Sequence, residues 1–285
     1  MASVPRRRCA SWARPTTWLE MNAALTLVLT RPRQQAGGWL TRLAALGVNA
    51  VSLPLIEIVA GPPQAAAEAW QQLPGAALAM FVSPNAVEHF FKGRTGDWPA
   101  DTLAACVGPG SAHALQGAGV PPQSIVQPPA DADALDSEHL WPLLATRDWQ
   151  GKLALILRGD GGRDWLAERL REQGARTLDF SVYRRRCPVL DAAEQRLLAD
   201  IAAQADAHFV WLFSSAEAIG HLASFLPSLT DADWSRQRAI ATHARIAERA
   251  RQLGFGDVVL ARPDAAAVAA AAAAMQGGHL QSNPL

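Results

Sequence analysis

At 285 residues, 49% hydrophobic and 18% charged, the chain is too apolar to be disordered throughout and long enough for two domains of ordinary size. Lys plus Arg and Asp plus Glu each total 26, which excludes the global basic field on which sequence-independent nucleic-acid binding depends. Cys9, Cys106 and Cys187 lack disulfide or metal spacing, the seven histidines form no zinc-helix pair, and no apolar run reaches the roughly 18 residues of a membrane span.

Residues 1–23 are basic, rich in Arg and Trp, and without the apolar core of a secretory signal, so they read as a disordered extension with Met21 an alternative start. The pattern TLVLTRP then predicts a strand ending at a turn. It is followed by a helix with Trp39, Leu40, Leu43 and Leu46 on its apolar face, and by a long strand over 49–60 that contains Pro54. A helix over 65–73 leads to a strand over 77–82 and the turn SPNA, with Ser83 as N-cap and Pro84 as first helical residue. Strands over 103–107 and 124–127, a helix around 135–145 and a strand–helix–strand unit over 151–183 complete the middle of the chain. Beyond Pro188 come a helix over 192–204, strands over 208–213, 239–242 and 257–260 with helices between them, and an alanine-rich C-terminal helix.

The chain repeats itself. An offset of 127 lays Arg158 over Arg31, Leu170 over Leu43 and Gly174 over Gly47; an offset of 132 lays Phe213, Ser215 and His221 over Phe81, Ser83 and His89; an offset of 135 lays Gly254 and Pro263 over Gly119 and Pro128. The strand–helix–strand unit comes first in one copy and last in the other. The expected fold is therefore α/β: two flavodoxin-like parallel-sheet domains related by internal repeat, joined by a two-stranded connector. Domain 1 is expected over 24–56 and 183–276, domain 2 over 57–182 with connector strands at both ends, and a tail over 277–285.

Ligands of such sheets bind at the carboxyl ends of the strands. The turns there are TRP, SPNA, GPGSA, RGDGGR, SSAEA and THAR, whose small and hydroxyl residues either cap helices or leave helix N–H groups for carboxylate or phosphate. RGDGGR is neither a dinucleotide fingerprint nor a phosphate-binding loop, and no nucleophile elbow is present. Cys106 reads as core, and His89 and His221 as structural or surface residues. Tyr183, the only tyrosine, stands where the first copy has Ile56, on a domain crossing beside Arg184–Arg186. A lone strand tyrosine is usually packing; a phenol beside cations is also a proton donor.

Taken together, LVLTRP, SPNAV, VGPGSA, LRGDGGRDWL, VYRR and FSSAEAI resemble the uroporphyrinogen-III synthase family, over roughly residues 25–276. The resemblance implies cyclisation of linear hydroxymethylbilane to uroporphyrinogen III in haem biosynthesis, with ring D inverted through a spiro intermediate and substrate held between the domains. It implies Tyr183 as catalytic acid, no metal and no cofactor. Arg31, Ser83, Asn85, Arg158, Gly159, Arg163, Ser214 and Ser215 match substrate-cleft positions by motif. At the THAR turn, where Ile246 stands opposite Ser111, carboxylate binding falls to Thr242 or to backbone N–H groups. A cytoplasmic monomer is implied, with passing contact with hydroxymethylbilane synthase and no nucleic-acid or membrane partner. The competing expectation is a non-catalytic two-domain cytosolic binding protein for a small polyanion.

Overall fold

The computed structural model describes residues 25–129, 136–161, 164–203, 208–229 and 232–280; the N-terminal extension and Met21 lie outside them. In chain order the first elements are β1 (Thr26–Leu29), α1 (Arg33–Ala45), β2 (Asn49–Ser52), β3 (Glu57–Ala60), α2 (Pro63–Gln72), β4 (Leu78–Phe81), α3 (Pro84–Lys92), β5 (Leu103–Cys106), α4 (Pro109–Gly117), β6 (Ile125–Val126) and α5 (Ser137–Leu144). There follow β7 (Leu153–Arg158), α6 (Trp165–Glu172), β8 (Arg176–Ser181), β9 (Tyr183–Arg186), α7 (Ala192–Ala203), β10 (Phe209–Phe213), α8 (Ala216–Phe225), β11 (Arg238–Ala241), α9 (Ala244–Leu253), β12 (Asp257–Leu260) and α10 (Ala265–Leu280). Two compact units result. Unit 1 takes the chain up to Leu55 and again from Val189; unit 2 is Ile56–Pro188.

Unit 1 is built on a parallel five-stranded sheet of order β12-β11-β10-β1-β2, and unit 2 on one of order β6-β5-β4-β7-β8. Matching β7 and β8 to β1 and β2, and β4, β5 and β6 to β10, β11 and β12, makes the two orders the same. This is the flavodoxin order, with the chain of unit 2 entering the sheet at a different strand. The parallel arrangement follows from helical crossovers, which cover both sheet faces and allow β1 and β4 to be buried at every position, with Thr26 their one polar residue. Trp70, Phe81, Phe90 and Trp98 lie in the core of unit 2, where the Trp70 and Phe90 rings stack at 4.6 Å. In unit 1, α10 buries Ala265, Val268, Ala272 and Met275 against Leu27, Leu29 and Leu43; its alanines leave little side chain between helix and sheet. Leu46, expected on the buried face of α1, is instead the half-exposed C-cap residue.

The long strand expected over 49–60 is two strands. Pro54 has no N–H to give to a ladder. Leu53 and Leu55 on either side of it donate to the carbonyls of Leu29 and Thr30, at 3.0 and 3.2 Å, before the chain leaves the sheet. Val182 divides β8 from β9 in the same way, donating to Arg158 O at 2.9 Å. β3 and β9 then pair antiparallel, Glu57 opposite Arg186 and Ala60 opposite Tyr183, as a ribbon carrying the chain into and out of unit 2. At its foot Gly61 passes so close that a Cβ there would meet Ser181 O at 2.0 Å.

Candidate functional site

The C-terminal end of β4 runs into α3 through Ser83. Its backbone is extended, and its Oγ accepts from Ala86 N at 3.3 Å, as an N-cap does. The Ser83 hydroxyl donates to the Tyr183 phenol oxygen at 3.1 Å, and Arg185 Nη2 donates to the same oxygen at 3.3 Å. Strand periodicity explains the second contact: residues i and i+2 of β9 share a face, so Arg185 stands over the Tyr183 ring, 5.9 Å from its centroid. The two other arginines of the run have carboxylate partners. Arg184 lies 3.5 Å from Asp160, and Arg186 donates twice to Glu57, its register partner, at 2.9 and 3.1 Å.

Tyr183 is wholly buried, at 0% exposure, so its hydroxyl meets protein groups before it meets water. His89, on the second turn of α3, stacks on its ring at 6.1 Å and 27°. On another side the chain itself is in contact. A Cβ at Gly159 would lie 2.7 Å from both Cε2 and Cζ of Tyr183, closer than carbon atoms can approach, so only glycine fits. Arg158, just before it, donates to Asp164 and, at 3.2 Å, to Asp179, and its Nε reaches Gly161 O at 3.3 Å. The guanidinium holds the Asp164 carboxyl below the usual carboxylate range. The side chain of Asn85, half-exposed in the first turn of α3, makes no hydrogen bond among the described residues. Arg163 lies outside the described residues.

The other motif residues belong to unit 1. Thr30 donates to Leu212 O at 2.7 Å, fastening the end of β1 to β10. Arg31 follows with its guanidinium 4.4 Å above the centroid of Trp39, its Nε buried and without a partner, and its pKa lowered by burial and then by Arg42. The neighbouring serines separate. Ser215 caps α8, accepting from Glu217 N at 3.1 Å, whereas the Ser214 hydroxyl is buried with no partner. Thr242 is tied through its N–H to Phe213 O at 3.1 Å. His243 is the cap of α9, its Nδ1 accepting from Arg245 N at 3.1 Å.

Ser83, Gly159 and Tyr183 thus meet directly in unit 2, with Arg158 on the flank. His89 and Arg185 are the members that motif matching does not single out. Their signal is spacing: His89 is four residues beyond Asn85 on a helix, and Arg185 two beyond Tyr183 on a strand.

The family model described as Uroporphyrinogen-III synthase HemD matches residues 39–270. A relative named uroporphyrinogen-III synthase from Salmonella typhimurium is 31% identical over 242 residues, covering 83% of this chain and 95% of its own length. One of the same name from Escherichia coli is 30% identical over 243 residues with the same coverage. Among solved structures, a Helicobacter pylori uroporphyrinogen-III synthetase (18% identity, TM-score 0.56) covers 88% of this chain and is itself covered at 99%. A mutant Thermus thermophilus uroporphyrinogen III synthase (19%, TM-score 0.53) covers 91% and is covered at 100%. At these identities the structures speak for the fold alone.

Proposed function

Because this chain belongs to the uroporphyrinogen-III synthase family, we propose that its buried tyrosine cluster supplies the proton for closing hydroxymethylbilane into a macrocycle. The enzyme is a cyclising lyase that converts hydroxymethylbilane to uroporphyrinogen III, and the non-catalytic alternative falls away. The observation that carries the site reading is the contact of the only tyrosine with Ser83 and Arg185.

Departure of the bilane hydroxyl as water takes one proton and leaves an azafulvene cation. Tyr183 is the source of that proton, and half-exposed Ser83 stands between it and the surface. Both hydroxyls donate and accept, so their contact can pass a proton outward. The Arg185 guanidinium offsets the charge left on the phenolate. Ring D then attacks through its substituted carbon, the spiro intermediate reopens with the ring inverted, and the proton shed by the closing carbon restores the phenol. Much of the work is orientation, holding the chain curled so that this route outruns unassisted closure. Asn85, through its side-chain amide and its own backbone N–H in the first turn of α3, supports binding of a substrate carboxylate near the leaving group.

Freshly generated hydroxymethylbilane, with separation of the oxidised porphyrin isomers, tests the function: isomer III is expected, and isomer I alone overturns the reading. Tyr183→Phe is expected to lower kcat at least about tenfold with the fold intact, since general acids contribute about 10²–10⁴; near-normal kcat removes Tyr183 from the chemistry. We place the enzyme in the cytoplasm as a monomer in passing contact with hydroxymethylbilane synthase. Buried Cys106, which forms no disulfide, supports a reducing compartment. No helix among the described residues is long and apolar enough to cross a membrane.

A further inference from the structure

The turn after β7 is tied, residue by residue, to the segment that carries the tyrosine out of the sheet. Arg158 pairs with Asp179, Gly159 stands against the Tyr183 ring, and the Asp160 carboxylate accepts from the Ser181 hydroxyl at 2.7 Å. Arg184 lies 3.5 Å from the other oxygen of Asp160. Just beyond it Gly161 holds φ at +71°, a conformation that glycine takes without strain. At the offset of 127, Asp160, Ser181 and Arg184 fall on Arg33, Pro54 and Glu57, so the first copy has neither the acceptor nor the hydroxyl. Arg33 pairs with Glu194 there, and Glu57 with Arg186. The carboxylate–hydroxyl tie belongs to the copy that also has the tyrosine.

We propose that Asp160 is a positioning residue for the reaction: through Ser181 it fastens the turn to the strand beside it, which keeps Gly159 against Tyr183 and the phenol within reach of Ser83. The proposal rests on the reading of Tyr183 as proton source. The hydroxyl contact is the part that positions. The Asp160 and Arg184 side chains are 50% and 53% exposed, and ion pairs so open to water contribute little. Ser181 is the last residue of β8, lies opposite Arg158 in the β7–β8 ladder, and is separated from Tyr183 by one residue. A hydrogen bond at that point therefore fixes turn and tyrosine relative to each other. Asp160 and Gly161 are otherwise exposed. If the tie is lost, the backbone can withdraw from Cε2 and Cζ of the ring, the atoms that Gly159 faces, and a ring with a gap beside it forfeits packing contacts and moves more freely. Proton transfer requires the donor to stay within hydrogen-bond reach, so this freedom slows the chemical step while leaving substrate affinity alone.

The test uses the full chain with three single variants and one double. Asp160→Ala is expected to lower kcat about fivefold or more with KM within about twofold, a loss below the roughly hundredfold that a misplacement on the order of 1 Å can cause. Ser181→Ala should do the same, and the double variant should lose no more than either alone, because both remove one contact. Asp160→Asn keeps an acceptor for Ser181 while discarding the charge, and should restore most of kcat. Since Tyr183 is the only tyrosine, a ¹³C-tyrosine label reports its ring directly: the resonance should move in Asp160→Ala and return in Asp160→Asn. An unmoved resonance, a raised KM with kcat kept, losses that multiply in the double variant, or an Asn variant as slow as the Ala variant would each overturn the proposal. If the chain made only isomer I, the synthase reading would fall while the tyrosine resonance still decided whether Asp160 holds the ring in place.

Discussion

At residue 159 a hydrogen atom stands where any side chain would enter the Tyr183 ring, so the position of the phenol is set as much by what is missing from the turn as by the donors around it. Gly159→Ala must move either the ring or the turn, and overpacking of this kind costs about 1–3 kcal/mol. It is expected to lower the melting temperature and kcat together while the amide spectrum stays folded; unchanged kcat would mean the ring position is irrelevant to turnover. On the other side of the ring, His89 has its pKa lowered below the ordinary histidine value, by burial first and by Lys92 second, with Glu88 acting against them. The sign follows from proton counting. Below about pH 6.5 the unfolded chain takes up a proton there that the folded chain resists, so stability falls as pH drops from that value toward the depressed folded pKa and levels off beneath it. Urea melts between pH 5 and 7 should show this slope in the wild type and a smaller one in His89→Gln; identical slopes would assign the acid sensitivity elsewhere.

At the scale of elements, much of the architecture was legible because the repeat could be read without structure. Arg31 over Arg158 and Ser83 under Ser215 fix which strands correspond, and Pro54 marks where a strand must leave its sheet. Ser83 and Ser215 read as caps because a hydroxyl before a helix has that use. His243 did not: an imidazole takes the same role only through a ring nitrogen, and THAR carries no hydroxyl at that position. Three facts at the site were illegible for a common reason. The aspartates that neutralise Arg158 come from α6's entry and from β8, the glycine contact joins a β7 turn to β9, and the orphaned Ser214 depends on the register of β10. Each requires knowing which atoms from separate elements end up side by side, whereas a motif records only neighbours along the chain. The motif therefore assigned Arg31 and Arg158 one role, though their surroundings differ in charge.

For the whole molecule, the order in which the strands are used decides which part of the chain can fold by itself. The strands of unit 2 all lie within Ile56–Pro188, including the ribbon of β3 and β9, and this stretch falls in the size range of independently folding domains. In unit 1, β1 sits between β2 and β10, and β10 comes from the far side of the inserted unit, so residues 25–55 hold only one of its two neighbours. Excised residues 56–188 should melt cooperatively and give a dispersed amide spectrum, whereas residues 1–55 alone should remain unfolded, with one edge of an apolar strand bare. The partners named for Tyr183, namely Ser83, His89, Gly159 and Arg185, all lie inside the excised piece. Because Tyr183 is the only tyrosine, a ¹³C-tyrosine label gives one resonance, and it should have the same chemical shift in the fragment as in the full chain. A shift moved to the value of exposed tyrosine in a fragment that is otherwise folded would show that the phenol's burial depends on residues outside 56–188, and the proton source could then no longer be described as the property of one unit.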